Sequence, residues 1–202
     1  FIYMWLNGWF TICLLCLYQP FMRLWMGNNM LLPFSAVVLL CAYFYTLNMG
    51  NIRSIYVQAT GMWWEQRYRA IAEALLNIFL NYFLGKRFGV RGIILATLLT
   101  IFWVNFCYGS AIVFKKYFGI QKLKEYFKLN FVYGLVTVVV GCVTLWICNK
   151  VGDGIGGFII TMAFCVILPN ILYLIFYYRS NMFKKTLSWI VPKIKILCKK
   201  YN

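Results

Sequence analysis

Five polar residues recur at every fourth position within the stretch from Gly61 to Gly92. They are Glu65, Arg69, Glu73, Asn77 and Asn81. On a helix, this spacing places them on one slowly spiralling stripe of an otherwise apolar surface. The charged residues are suited to pairing with each other or with a charged substrate, and the asparagines are suited to hydrogen bonding with neighbouring helices.

The stretch that carries the stripe, residues 63–84, is long enough to cross a bilayer as a helix, at about 1.5 Å per residue and about 30 Å of hydrocarbon. An ionised glutamate near mid-bilayer costs about 2.5 to 3.5 kcal/mol or more, so the stripe should face other helices, a partner or a water-filled cavity. Two interpretations stay open. Either Arg69 pairs with Glu73 and the asparagines join helices structurally, or the stripe lines a transport path.

The composition predicts an all-α integral membrane protein. Hydrophobic residues make up 63% of the chain and charged residues only 12%, against about 25% charged in soluble domains. The net charge of +16 does not indicate nucleic-acid binding, because the basic residues lie between long apolar runs rather than on a soluble basic face. The chain begins with Phe1 inside an apolar run, so we interpret it as a fragment of a longer polypeptide.

Most of the 8 cysteines lie in apolar segments, where they are expected to act as small packing residues. Cys13 and Cys16 form a Cys-x-x-Cys pair, but the chain has no histidine and no second pair nearby. The spacing therefore predicts neither a zinc site nor a redox site, and we expect no cofactor.

Hydropathy and helix breakers predict a six-transmembrane-helix bundle over residues 1–178, with a basic amphipathic cytoplasmic tail over 179–202. The predicted helices cover approximately 1–18, 32–58, 63–84, 90–114, 129–148 and 155–178. Pro20 is expected to end the first helix. A basic loop from Lys115 to Lys128 is expected to separate the fourth helix from the fifth, and it is suited to lying on the membrane surface.

The charges orient this topology. Fifteen of the 20 lysines and arginines fall on one side, and they are Arg53, Arg67, Arg69, Lys115, Lys116, Lys122, Lys124, Lys128, Arg179, Lys184, Lys185, Lys193, Lys195, Lys199 and Lys200. The other side receives Arg23, Lys86, Arg87, Arg91 and Lys150. Because cytoplasmic loops carry an excess of lysine and arginine, the C-terminus is predicted to be cytoplasmic.

Four short motifs occur in order along nearly the whole chain. They are Pro20-Phe21-Met22-Arg23-Leu24-Trp25-Met26-Gly27, Gly61-x-Trp63-x-x-x-Arg67-Tyr68, Glu73-x-x-x-Asn77, and Phe88-Gly89-Val90-x-Gly92-Ile93 with Thr97. Together they resemble the polysaccharide flippases, which belong to the superfamily that also contains the multidrug and toxic-compound extruders.

The resemblance implies a pseudo-symmetric transporter of twelve helices, of which this chain is the C-terminal half. The substrate would be an undecaprenyl-pyrophosphate-linked oligosaccharide, moved from the cytoplasmic to the outer leaflet of the bacterial inner membrane for O-antigen or capsule synthesis. The implied partners are membrane lipids, the N-terminal six-helix half and other polysaccharide-assembly proteins.

The residues also bear on three other functions. A drug extruder needs a coupling acid deep in the membrane, and Glu73 is a shallow candidate. A membrane-embedded polymerase or glycosyltransferase needs an acid-base pair, a metal or a large loop. The acids are Glu65, Glu73, Glu125 and Asp153 only, so we expect no enzyme. A membrane scaffold without transport activity remains a further alternative.

The second and third predicted helices both carry polar residues beside the loop that joins them. If the two stripes face each other, they form a vestibule open to the cytoplasm, in which Arg53 and Arg69 bind a pyrophosphate and the amides bond sugar hydroxyls. The predicted substrate-binding residues are Asn48, Asn51, Arg53, Arg69, Glu73, Asn77 and Asn81. For Arg53, the alternative is that it snorkels to the lipid headgroups as a topology anchor.

Overall fold

The computed structural model describes the backbone of residues 1–152 and 154–201, and their side chains except at positions 29, 191 and 193–201. Within these residues there are seven helices and no strand. The helices are α1 (Ile2–Met26), α2 (Phe34–Thr60), α3 (Trp63–Phe88), α4 (Val90–Phe118), α5 (Ile120–Cys148), α6 (Ile155–Tyr177) and α7 (Asn181–Tyr201). The prediction of an all-α chain is confirmed for the described residues.

Four of these helices, α2, α4, α5 and α6, are long and apolar enough to cross a membrane. The other two predicted spans have sufficient length, since α1 has 25 residues and α3 has 26. They are less apolar, because α1 contains Asn7, Gln19 and several Trp and Tyr residues, and α3 carries the polar stripe. Length and composition therefore identify four apolar spans among the described helices.

The first predicted helix boundary is wrong. Helix α1 continues through Pro20 and ends at Met26, followed by Gly27 with a φ of 76°. A proline removes one backbone hydrogen bond and normally bends a helix. Around Pro20, the Gln19 amide donates a hydrogen bond of 2.7 Å to the Leu32 carbonyl, and the ring of Phe21 lies 6.2 Å from that of Phe158. Gly27, with a positive φ that other residues rarely adopt, follows the last helical residue.

The predicted basic loop 115–128 is also wrong. Helix α4 extends to Phe118, Gly119 adopts a φ of 89°, and α5 begins at Ile120. Lysine and glutamate are good helix formers, so Lys122, Lys124 and Glu125 form the first turns of α5. With 29 residues, α5 is longer than a bilayer requires.

Helices α1, α5 and α6 pack together around a shared apolar core. The core contains Met4, Ile12, Val140 and Cys165, each no more than 2% exposed. Tyr173, on α6, is fully buried there and donates a hydrogen bond of 3.0 Å to Thr137 Oγ1 on α5. This core fixes one side of the molecule.

Helix α4 connects this side to the polar stripe, because it packs against α5 as well as against α2 and α3. The outer face of α3 is apolar and exposed, with Trp64 at 72% and Ile78 at 68%. The stripe residues Arg69, Glu73, Asn77 and Asn81 are only partly exposed and lie toward α4. The expectation that the stripe faces another helix is therefore confirmed for these four residues.

The predicted tail forms helix α7, on which Lys184 and Lys185 are exposed beside Leu187. The predicted tail cations Lys193, Lys195, Lys199 and Lys200 lie outside the described side chains, and Asp153 and Asn202 lie outside the described residues.

Candidate functional site: an arginine-lined cavity

A buried arginine joins helices α2 and α4. Arg53 is only 6% exposed, and its Nη2 donates a hydrogen bond of 2.9 Å to Oδ1 of Asn105. Its Nη1 donates to the backbone carbonyl of the same residue. Both terminal nitrogens of the guanidinium thus bind one asparagine, so the alternative that Arg53 snorkels to the headgroups is wrong.

The local shape of α4 makes this bond possible. Residues Ile101–Tyr108 form π-helical turns, and the Gly109 N–H bonds the carbonyls of Val104 and Phe106. In a regular α-helix that N–H would bond the carbonyl of Asn105. The wider turn leaves the Asn105 carbonyl available to Arg53, in keeping with the frequent presence of such turns at functional sites.

Gly109 provides the space for the guanidinium. A Cβ at this position would overlap Arg53 Nη1 and would lie 2.6 Å from Arg53 Cζ and 3.0 Å from Arg69 Cδ. The absence of a side chain at Gly109 therefore allows both arginines to approach the backbone of α4.

Asn105 also reaches the stripe on α3. Its Nδ2 donates a hydrogen bond of 3.3 Å to Glu73 Oε2, and the same oxygen accepts a bond of 2.6 Å from Arg69 Nη1. The predicted pairing of Arg69 with Glu73 within the helix is confirmed. The four residues form a continuous polar chain from Arg53 through Asn105 and Glu73 to Arg69, which we call the polar chain.

The predicted asparagines of α3 connect helices more weakly. Asn77 Nδ2 lies 3.5 Å from Thr97 Oγ1 on α4, and Asn81 Nδ2 donates a bond of 2.7 Å to Asn77 Oδ1. Two neighbours of Arg53 on α2 are not brought to the polar chain. Asn48 donates to the Phe44 carbonyl of its own helix, and Asn51 is exposed.

A cavity of about 300 Å³ lies between α2 and α3 at the end of the polar chain. Its lining includes Arg53, Arg67 and Arg69, and none of its described lining residues is acidic. Arg67 stacks on Trp64 with 3.6 Å between the guanidinium carbon and the ring centroid. The lining therefore combines three arginines with the aromatic ring of Trp63, a set of residues suited to an anion with several oxygens.

An apolar groove of about 980 Å³ lies next to the polar chain, between α2, α4 and α5. Met49, one turn before Arg53, and Phe106, the neighbour of Asn105, both line it. Aromatic and aliphatic side chains form most of the remaining lining. Such a surface is suited to a hydrocarbon chain.

The sequence prediction missed Asn105 and Gly109. A signal for Asn105 was available, because it is the only amide or charged side chain between Gly92 and Lys115, and polar residues inside apolar spans are usually paired. No comparable signal marked Gly109, whose role depends on which arginine approaches it.

Comparison with known proteins gave no match to a protein-family model, a curated protein or a solved structure.

Proposed function

We propose that this chain is part of a flippase that moves an undecaprenyl-pyrophosphate-linked oligosaccharide from the cytoplasmic to the outer leaflet. The observation that carries the proposal is the cavity lined by Arg53, Arg67 and Arg69 beside a large apolar groove. A lipid pyrophosphate has the matching parts, since its head is a dense anion and its tail is a long hydrocarbon. The motifs that resemble the polysaccharide flippases support the same substrate.

The arginines have different roles in this proposal. The terminal nitrogens of Arg53 are bound to Asn105, so Arg53 supplies positive charge and holds the cavity wall. Arg69 is partly exposed and bound to one carboxylate, Glu73. A pyrophosphate offers more oxygens than Glu73 does, so it competes for the Arg69 guanidinium and binds it through two parallel hydrogen bonds.

When the substrate replaces Glu73 as the partner of Arg69, substrate binding alters the hydrogen bonds between two helices. When Arg69 turns to the pyrophosphate, Glu73 retains only the hydrogen bond from Asn105. Because Asn105 belongs to α4 and Glu73 to α3, this exchange changes the contact between two helices. Transporters of alternating access move helices or bundles around a fixed site in this manner.

The proposed architecture has α1 and α3 as further spans, which gives six in this chain and twelve in the complete transporter with an N-terminal half. The stripe of α3 faces α4, and its exposed apolar face is available to lipid or to that half. The distribution of positive charge gives the orientation in the membrane, with the end of α5 that carries Lys122 and the whole of α7 on the cytoplasmic side.

The sidedness has a direct test. Single cysteines introduced at Lys122 and Lys184 should be labelled by an impermeant maleimide only after the membrane is opened, whereas cysteines at Asn28 and Gly152 should be labelled in intact cells. The unmodified chain, with its native cysteines, is the control for background labelling. Labelling of Lys122 and Gly152 from the same side would contradict the six-span topology.

The transport role has a test in Arg69→Gln, introduced at the native locus. Loss of one charge-assisted contact, worth about 1.5 to 3 kcal/mol, should lower export of surface polysaccharide about tenfold or more at normal protein levels. The lipid-linked oligosaccharide should then accumulate in the cytoplasmic leaflet. Arg91→Gln is the charge-matched control, because Arg91 is exposed in the first turn of α4.

A double variant separates substrate binding from simple pairing with Glu73. If Arg69 only neutralises Glu73, then Arg69→Gln combined with Glu73→Gln should restore export, because no unpaired carboxylate remains. If Arg69 binds the substrate, export should stay low in the double variant. Restored export, or full export in Arg69→Gln alone, would overturn the proposed role.

A further inference from the structure

Three thiols from three different helices meet inside the core of α1, α5 and α6. They belong to Cys16, Cys148 and Cys165, and their sulfur atoms all lie within 4.8 Å of one another. The Sγ atoms of Cys148 and Cys165 are 4.0 Å apart. The three side chains are buried, with Cys165 fully so. Local sequence spacing gave no sign of this cluster, because the residues are far apart in the chain.

The size of the sulfur triangle fits a metal ion. Metal–thiolate bonds are about 2.3 Å long, so an ion at the centre of an equilateral triangle of sulfurs requires edges of about 4.0 Å. One edge already has this length, and the others need to shorten by less than about 0.8 Å. Rotation about the side-chain torsions supplies such a change without movement of the helices.

The cluster also has a route to the surface. Cys16 and Cys148 line a cavity of about 280 Å³ that is also lined by Gln19, Arg23 and Asn149. The cavity lies at the end of the bundle where α1 meets the turn that follows α5. A positive charge on its wall offsets part of the negative charge that thiolates bring into the core.

We propose that Cys16, Cys148 and Cys165 bind one monovalent copper ion in a trigonal site. Soft thiolate ligands favour this ion, whereas zinc in structural sites takes four ligands. The chain has no histidine, and the group contains no further cysteine or carboxylate among the described residues. Nearby Cys13 directs its thiol to the Cys165 carbonyl at 3.6 Å. Each thiol that binds as a thiolate releases its proton through the cavity.

Bound copper joins α1, α5 and α6 at one point, and it stabilises the folded chain by mass action. This proposal is independent of the transport function, since the cluster shares no residue with the arginine-lined cavity.

Competition titration of the purified chain tests the site, with monovalent copper supplied under reducing conditions with a chromophoric chelator. We expect one equivalent of tightly bound copper, with three sulfur neighbours at about 2.3 Å by X-ray absorption. Affinity should fall at least about 100-fold in Cys16→Ser, Cys148→Ser and Cys165→Ser, because even outer partners of metal ligands are worth about 10 to 100-fold.

The matched control is Cys41→Ser, which alters a buried cysteine on α2. It should bind copper as the unmodified chain does. Cys165→Ala serves as a second variant if the serine disturbs folding, and thermal unfolding without copper shows whether each variant is folded. The proposal would be overturned if the chain bound no copper tightly, or if Cys41→Ser lost as much copper affinity as the three cluster variants. It would also be overturned if Cys13→Ser lost copper affinity and Cys148→Ser did not.

Discussion

Replacement of Asn105 with alanine should lower the unfolding free energy of the chain by about 3 kcal/mol. The change removes the acceptor of the 2.9 Å bond from Arg53 and the donor of the 3.3 Å bond to Glu73. A buried guanidinium and a partly buried carboxylate then each lose a hydrogen-bond partner. Thermal unfolding of the purified chain in detergent should show a clearly lower midpoint.

Asn130→Ala is the control for this variant. Asn130 is also an amide within an apolar helix, but it donates to the Tyr126 carbonyl one turn earlier on its own helix, α5. Its loss should cost about 1 kcal/mol or less. Equal losses in the two variants would mean that the contacts of Asn105 between helices add nothing to stability.

The part of the site that lies on one helix was predictable. Residues at every fourth position must share a face of α3, and the cost of a charge in hydrocarbon must turn that face toward protein. Pairing of Arg69 with Glu73 follows from the same spacing. These inferences need only helical geometry and the properties of the bilayer, so they required no knowledge of neighbouring helices.

The contacts between helices were not predictable in the same way. Arg53 and Asn105 are 52 positions apart, and their pairing depends on a π-helical turn that no residue type predicts. The prediction of a loop over residues 115–128 was wrong for a related reason. Lysines are common both in loops and in helix ends that extend beyond a bilayer, so charge alone did not distinguish the two.

Gly109→Ala should be the most damaging of the conservative changes near the site. Gly109 has a φ of −60°, a helical value that alanine also adopts, so the backbone does not oppose the substitution. The added methyl would lie 2.6 Å from Arg53 Cζ. Overpacking of this kind costs about 1 to 3 kcal/mol, and displacement of Arg53 from Asn105 adds the cost of an unpaired buried cation.

Gly134→Ala provides the matched comparison on α5. A Cβ there would lie 3.8 Å from the ring of Tyr45, an ordinary contact distance. Because alanine favours a helix by about 1 kcal/mol over glycine, Gly134→Ala should be neutral or stabilising. Changes of opposite sign in the unfolding free energies of the two variants would show that the loss in Gly109→Ala comes from the lack of space at Gly109 and not from the replacement of a helical glycine as such.

A double-mutant cycle identifies the group that fills that space. Arg53→Ala removes the guanidinium that the methyl of Gly109→Ala would overlap, so the second substitution should cost little once the first is present. The summed losses of unfolding free energy in the two single variants should therefore exceed the loss in the double variant by at least about 1 kcal/mol. Strictly additive losses would mean that a group other than Arg53 obstructs the methyl. Arg69 Cδ, which would lie 3.0 Å from the added methyl, is the next group to remove.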